Sequence, residues 1–355
     1  MAFTTPDTFL NLLEKLKNRS GGRVTAFYFG STYTGVFSEE GYYATPIRET
    51  PSLIYAGVVM RSTEMVADIA KLLDGQVDYI FVDAEKKIDS LAYGKSGDYD
   101  LEQSVKTAFH RSKVLTYKGN DLAAQAFDDL MGTLIQNFSG LNFAIIGVGN
   151  VGLKIAIKLM ERGSNVSLYR RNGAILLSMA SSLSMMRPGC LVARARMASS
   201  VKDACVDAHC IVACASSQSL ITKDDLGLGD GSRPRSPLLI DIGKGCFVDE
   251  LVNSPEHQIH RLDISIIQSH YFSALINTSQ FYAQPLGKKT LNNGQIVIVS
   301  QGLLAGYGEF VIDNIVSPKK ILGIANGKGS FIEDTKPFDE ALKYLVNIEK
   351  MIVNF

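Results

Sequence analysis

At 355 residues the chain is long enough for roughly two domains of ~150 residues each, and a 46% share of hydrophobic residues can fill their cores, which excludes a disordered protein. Lys plus Arg total 36 and Asp plus Glu total 36, so no net field draws phosphate backbones or anionic headgroups, and neither nucleic acid nor a membrane surface is an expected partner. The five cysteines, Cys190, Cys205, Cys210, Cys214 and Cys246, are odd in number and confined to the second half, which argues against a disulfide scaffold and for a reducing, cytoplasmic setting.

The opening residues mix charges into their apolar positions, unlike a secretory signal, and no segment reaches about 18 charge-free apolar residues. Phe9, Leu12, Leu13 and Leu16 recur at helical spacing after Thr5-Pro6-Asp7, and Gly21-Gly22 breaks that helix. A strand follows at Val24 to Phe29. Residues 31–52 read as a loop or irregular hairpin, with a hydroxyl cluster at Ser31-Thr32-Tyr33-Thr34. LIYAGVVM (53–60) is a continuous apolar run, as expected of a strand covered on both faces; a helix follows over Ser62 to Leu73, and VDYIFVDA (77–84) repeats the strand pattern. These alternations predict an α/β domain with at least three strand-then-helix units. Apolar spacing predicts helices over Leu101 to Arg111 and Asn120 to Phe138, with a domain boundary near Tyr117 to Asn120.

LNFAIIGVGNVGLKIAIKLMERGSNVSLYRRN (141–172) reads as strand, glycine turn, helix, turn and strand. Gly147-Val148-Gly149-Asn150-Val151-Gly152 sits between that strand and helix, the setting that makes G-x-G-x-x-G a dinucleotide fingerprint. Gly147 permits the tight turn, Gly149 leaves room for pyrophosphate, and Gly152 lets helix and strand pack closely. The helix start presents amides to the anion. After the next strand, Arg170-Arg171-Asn172 stands where an NAD-preferring site places a carboxylate, so NADP is favoured over NAD. A solvated basic turn is the rival reading. Strands are also expected at HCIVACA (209–215), PLLIDIG (237–243) and QIVIVSQ (295–301), the last preceding another helix, while LGLGDGSRPRS (226–236) reads as a mobile surface loop. Ala215 and Gly243, at the ends of two of these strands, join the expected cofactor-binding set.

Ahead of the fingerprint, TYKGNDLAAQAFDDL opens the long helix at Gly119-Asn120-Asp121, and here the sequence resembles the shikimate dehydrogenase-like family. Members carry Gly-x-Asn-Thr-Asp at that place; this chain lacks the intervening Thr. The 26 residues from Asp121 to Gly147 hold one long helix and one strand, as in that family, and Arg171 matches the arginine of the family's Asn-Arg-Thr motif. The resemblance implies an N-terminal substrate domain (1–118) followed by a Rossmann-type doubly wound NADP domain (119–302), with residues 303–355 packing back on the first. It also implies a lysine paired with the helix-opening aspartate across the interdomain cleft. Lys86 and Lys87 follow the strand ending at Asp83, 35 and 34 residues before Asp121. An ammonium beside a carboxylate can pass the proton that accompanies hydride transfer. Rival readings are an exposed charged turn for the lysines and a helix N-cap for Asp121.

The family's Asn-Val-Thr-x-Pro-x-Lys motif is replaced by Phe81-Val82-Asp83-Ala84-Glu85-Lys86, whose acidic side chains suit a hydroxyl-rich or cationic substrate better than shikimate. Asn120, Arg61 and Gln301 are the expected substrate-binding residues. Arg61-Ser62-Thr63 either holds an anionic group or merely caps a helix, and Gln301-Gly302 opens a stretch like the family's glycine-and-glutamine return. Cys210 and Cys214 read as packed hydrophobes, His257 and His260 as residues of a polar surface loop, and no metal site is expected. The expected activity is NADP-dependent hydride transfer to or from a small polar alcohol or carbonyl compound. A non-catalytic NADP sensor or assembly protein, a methylenetetrahydrofolate dehydrogenase-like enzyme and an imine reductase are the alternatives, and a homodimer is compatible with the sequence.

Overall fold

A computed structural model describes residues 5–31, 42–85, 100–186, 189, 192–227, 236–243, 245–281, 288–300, 305–313 and 319–352. The first region runs α1 (Thr5–Arg19), β1 (Val24–Ser31), β2 (Tyr42–Ala44), β3 (Arg48–Glu49), β4 (Leu53–Met60), α2 (Val66–Leu73), β5 (Tyr79–Asp83), α3 (Leu101–Ala108) and β6 (Lys113–Tyr117). Its strands are ordered β2-β4-β1-β5-β6, with β3 also on β4. The four long strands are parallel, and β2 and β3 run antiparallel to β4. Parallel strands lie between two helical layers and so need apolar side chains on both faces, which is why β1 and β4 read as unbroken hydrophobic runs.

On one face, Phe9 and Leu16 of α1, Ile69 and Leu73 of α2 and Val105 of α3 close over Phe27, Ile54, Ile80 and Val82. The other face carries Tyr28, Tyr55, Phe81 and Tyr117, gathered around Phe272. Phe272 stacks on Phe81 with ring centroids 3.9 Å apart and planes 5° apart. Such aromatic pairs contribute about 1 kcal/mol each beyond area burial.

The second region comprises α4 (Gly119–Leu134), β7 (Asn142–Ile146), α5 (Asn150–Glu161), β8 (Asn165–Tyr169), α6 (Gly173–Met186), β9 (Ala195–Met197), α7 (Val201–Cys205), β10 (Cys210–Ala213), β11 (Leu238–Asp241), α8 (Asp249–Val252), β12 (Ile259–Arg261) and α9 (Ile264–Phe281). Its sheet, ordered β12-β11-β10-β7-β8-β9, is parallel throughout. Numbered along the chain from β7, the order is 3-2-1-4-5-6 read from the β9 edge, that of dinucleotide-binding sheets. Helices α4, α5 and α6 cover one face and α7 and α8 the other, so the sheet is doubly wound. The fold class is α/β, with two parallel sheets in succession.

The chain divides into compact units at Ser273/Ala274, within α9. Residues 264–273 bring Phe272 to the first sheet, and Tyr55 Oη lies 2.7 Å from Ser269 Oγ. The second unit holds β13 (Lys288–Leu291), β14 (Ile296–Ser300), β15 (Phe310–Ile312), β16 (Ile321–Ile324) and α10 (Asp339–Ile352). Its sheet, β13-β14-β15-β16, packs Ile296, Ile298, Phe310 and Ile324 against Leu345 of α10.

Three local expectations are corrected. The strand predicted at 295–301 is β14, but the next element among the described residues is a strand and not a helix: 305–309 are non-helical and lead into β15, because Gly306 and Gly308 form a turn there. The helix expected from Ser62 begins at Val66, capped by Met65 without a side-chain hydrogen bond, so Ser62 is not its cap. His260 lies on the edge strand β12, not in a loop, its residue paired with Ile240. Among the described residues no helix is long and apolar enough to cross a membrane.

Candidate functional site

The glycine turn follows β7 at the point where the second sheet's strand order reverses, between β7 and β10. Gly147 adopts φ +90°, a conformation that disfavours residues with a Cβ, and the amides of Gly147 and Val148 donate to the Tyr169 carbonyl at 2.9 and 3.2 Å. The turn is thereby tied to the end of β8. Gly149 is the N-cap of α5, with no side-chain cap bond, and a Cβ built on it would meet nothing within 4 Å. At Gly152 a Cβ would lie 3.2 Å from the Gly147 carbonyl oxygen and 3.3 Å from Ile145 Cγ2, so helix and strand do pack closely there. Asn150 is exposed and Val151 half-buried at the same helix start, whereas Val148 is buried in the core.

The loops after β10 and β11 close on this turn through Ala215. A Cβ on Gly147 would stand 2.5 Å from the Ala215 nitrogen, and one on Gly243 only 1.9 Å from the Ala215 carbonyl oxygen. The Cys246 thiol donates to that same oxygen at 3.1 Å, and the Gly245 amide donates to Asp241 Oδ2 at 2.7 Å. Burial, with the nearby Asp241 carboxylate, pushes the Cys246 thiol up to about 11, leaving it a neutral donor near neutral pH. Cys210, wholly buried in β10, is likewise pushed up by burial and packs as a hydrophobe. Arg170 folds back over the glycine turn, its guanidinium donating to the Val148 carbonyl at 3.4 Å, while Arg171 and Asn172 are exposed.

The carboxyl edge of the first sheet is organised by two acids. Its parallel strands follow the order β4-β1-β5-β6, which reverses between β1 and β5. Those two strands end in Ser31 and Asp83, both buried, and the Ser31 hydroxyl donates to Asp83 Oδ2 at 3.3 Å. Asp83 Oδ1 accepts the amides of Glu85 and Gly119 at 3.1 and 3.3 Å, and Glu85 Oε2 accepts the Asn120 amide at 2.9 Å. These carboxylates satisfy backbone donors at the start of α4, a region favourable to negative charge. Burial, then the Asp83 charge, raises the Tyr117 phenol well above its ordinary value, so it remains a donor to the Phe29 carbonyl at 3.4 Å.

Across from this edge stands Lys154 of α5. Its ammonium pairs with Asp121 and lies 3.5 Å from Glu85 Oε1. The contact belongs to a ladder between α4 and α5, in which Lys158 reaches Gln125 and Asp128 and Arg162 reaches Asp128 at 3.0 Å. Lys154, Lys158 and Arg162 recur every four residues, opposite Asp121, Gln125 and Asp128. That recurrence was a legible signal for Lys154, which sequence reasoning passed over because the fingerprint drew attention to the glycines alone. Helix α5 is thus joined by charge to the loops after β5 and β6.

Asp121, Asn120, Gly147, Gly149, Gly152, Arg170, Ala215 and Gly243 are placed as above, and Asp121 has Lys154 as its cationic partner. Arg61 is half-buried directly after β4. Lys86, Lys87 and Gln301 lie outside the described residues, as does most of the predicted loop at 226–236.

No family model matches the chain, and no curated protein matches its sequence. Solved structures with a partial likeness include the ornithine carbamoyltransferase of Pyrococcus furiosus, over 71% of this chain and 86% of that one, at 12% identity and TM-score 0.39. The dipicolinate synthase A chain of Bacillus subtilis is similar over 73% and 79%, at 16% identity and TM-score 0.36. The catalytic subunit of M. jannaschii aspartate transcarbamoylase is similar over 76% and 93%, at 9% identity and TM-score 0.43.

Proposed function

We propose that the chain is an NADP(H)-dependent oxidoreductase acting on a small polar alcohol or carbonyl compound where the carboxyl edges of its two parallel sheets meet. The observation that carries this reading is the coincidence, at the switch point of a 3-2-1-4-5-6 sheet, of the Gly147 turn, an α5 start without a side-chain cap and open space over Gly149. A diphosphate fits such a place, because the first-turn amides of α5 present donors and the positive end of the helix dipole. Arg170 and Arg171 supply guanidinium groups for the 2′-phosphate that distinguishes NADP from NAD.

When bound, the nicotinamide supplies or takes a hydride at a substrate carbon, and the oxygen on that carbon must then gain or lose a proton. Asp121, half-exposed at the head of α4 and paired with the Lys154 ammonium, is the group assigned to take or return that proton. Lys86 or Lys87 is its proposed ammonium partner in the exchange. Asn120, Arg61 and Gln301 complete the proposed substrate set.

Fluorescence titration with NADPH and NADH tests the coenzyme assignment: saturable binding is expected, tighter for NADPH, and no signal with either removes it. Oxidation of bound NADPH is then followed against a panel of small aldehydes, ketones and keto acids. Binding without turnover across the panel makes the protein a nucleotide sensor rather than an enzyme. With an active substrate in hand, Asp121→Asn is expected to lower turnover about 100-fold or more, the scale of general acid/base catalysis, with NADPH affinity near wild type. Unchanged turnover takes Asp121 out of the chemistry.

A further inference from the structure

Helix α6, GAILLSMASSLSMM, carries no charged residue. Leu176, Ala180 and Leu183 bury one side of it, and the remainder mixes exposed Ser178, Ser181, Ser182 and Ser184 with apolar side chains and has none of the charges expected of a surface helix. Leu177 is 67% exposed and Met185 84%, and Val192, just before β9, is 85% exposed. Ile175, Met186 and Met197 are exposed alongside them. Together these side chains present several hundred Å² of apolar surface, as much as the largest patch on a typical monomer and close to the ~800 Å² each partner buries in a standard interface.

Strand β9 is the end strand of its sheet, and among the described residues none pairs with its outer side. The Val166 amide donates to the Arg194 carbonyl and the Ala198 amide to the Leu168 carbonyl, both at 2.8 Å. The parallel ladder therefore turns the amide and carbonyl groups of Ala195 and Met197 outward. Side chains alternate along a strand, and Ala193 and Ala195 pack in the same cluster as α6, so Met197 lies on the α6 face. Arg194 and Arg196 fall on the opposite face, where Arg196 pairs with Asp203 at 2.8 Å.

We infer that two copies of this chain associate across a two-fold axis, β9 edge to β9 edge, with the apolar face of α6 packed on its symmetry mate. A two-fold axis perpendicular to the sheet pairs identical edges antiparallel and leaves both α6 helices on the same face, side by side. The occupant is a second copy because the α6 side of the contact carries no charge, because Arg196 on the paired edge is already bridged to Asp203, and because an open strand edge is completed by its own antiparallel image. The association is independent of the coenzyme reading.

Sedimentation and light scattering of the full chain at micromolar concentration test it. The wild type is expected to be a dimer. Leu177→Glu with Met185→Glu, and separately Met197→Lys, are expected to weaken association about 100-fold or more, leaving folded monomers by circular dichroism. Val252→Glu, an exposed position on α8 toward the other end of the sheet, is expected to remain dimeric. If the double variant does not fold, Met197→Lys decides. A monomeric wild type, or a dimer that survives the folded variants, overturns the inference.

Discussion

Gly149→Val is expected to weaken binding of the proposed coenzyme about 100-fold while leaving the protein folded. A side chain at Gly149 would point into space that no protein atom occupies within 4 Å, so the native packing does not oppose it. Its backbone has negative φ, which a valine can adopt. The folding cost is then the loss of a good N-cap residue, about 1 kcal/mol. The same side chain would stand where the proposed diphosphate would meet the α5 amides, removing charge-assisted hydrogen bonds worth about 3 kcal/mol, or roughly a 100-fold loss of affinity. NADPH titration beside a thermal melt checks both halves. Wild-type affinity in a folded Gly149→Val variant would show that the turn does not hold the coenzyme.

Gly243→Ala is expected to produce the opposite pattern, a large loss of stability. The new Cβ would lie 1.9 Å from the Ala215 carbonyl oxygen and 2.5 Å from Cys246 Sγ. Relief requires moving the backbone after β10, which also supports the Gly147 turn and accepts the Cys246 thiol. The cost is expected to reach about 3 kcal/mol, seen as a drop in Tm of roughly 6–12 °C. Gly132→Ala, in the exposed last turn of α4 with nothing within 4 Å of its Cβ, is the matched control and is expected to stabilise by up to about 1 kcal/mol. Equal melting temperatures for the two variants would show that the loops meeting at Ala215 are not under packing constraint.

The two experiments separate what the glycines do. Gly149 faces open space, whereas Gly147, Gly152 and Gly243 leave room for the chain itself. A fingerprint read as text treats the glycines alike. Only the neighbours of each Cα tell them apart.

Much of the architecture was legible because parallel strands buried on both faces leave continuous apolar runs. LIYAGVVM coincides with β4, and the turn, helix and strand after Asn142 lie where the glycine pattern places them. The strands that escaped notice, β2, β3, β6, β9, β12, β13, β15 and β16, have two to five residues and all but β15 lie toward sheet edges, where pairing to one neighbour replaces a hydrophobic pattern. The stretch after β14 misled because small apolar residues suit a helix, whereas Gly308 at φ +80° turns the chain into β15.

What the sequence determined by itself was local: the alternation of strands and helices, the tight turn at Gly147, the absence of a carboxylate after β8 and the apolar composition of α6. These follow from backbone sterics and side-chain polarity within a few residues. Tertiary structure alone decided that Lys154, not a neighbour in sequence, holds Asp121, that Ala215 is the point on which three loops close, and that Phe272 of α9 completes the first sheet's aromatic core. Each of these joins residues far apart along the chain, where contact depends on strand order and helix packing, and no local pattern encodes the distance between them.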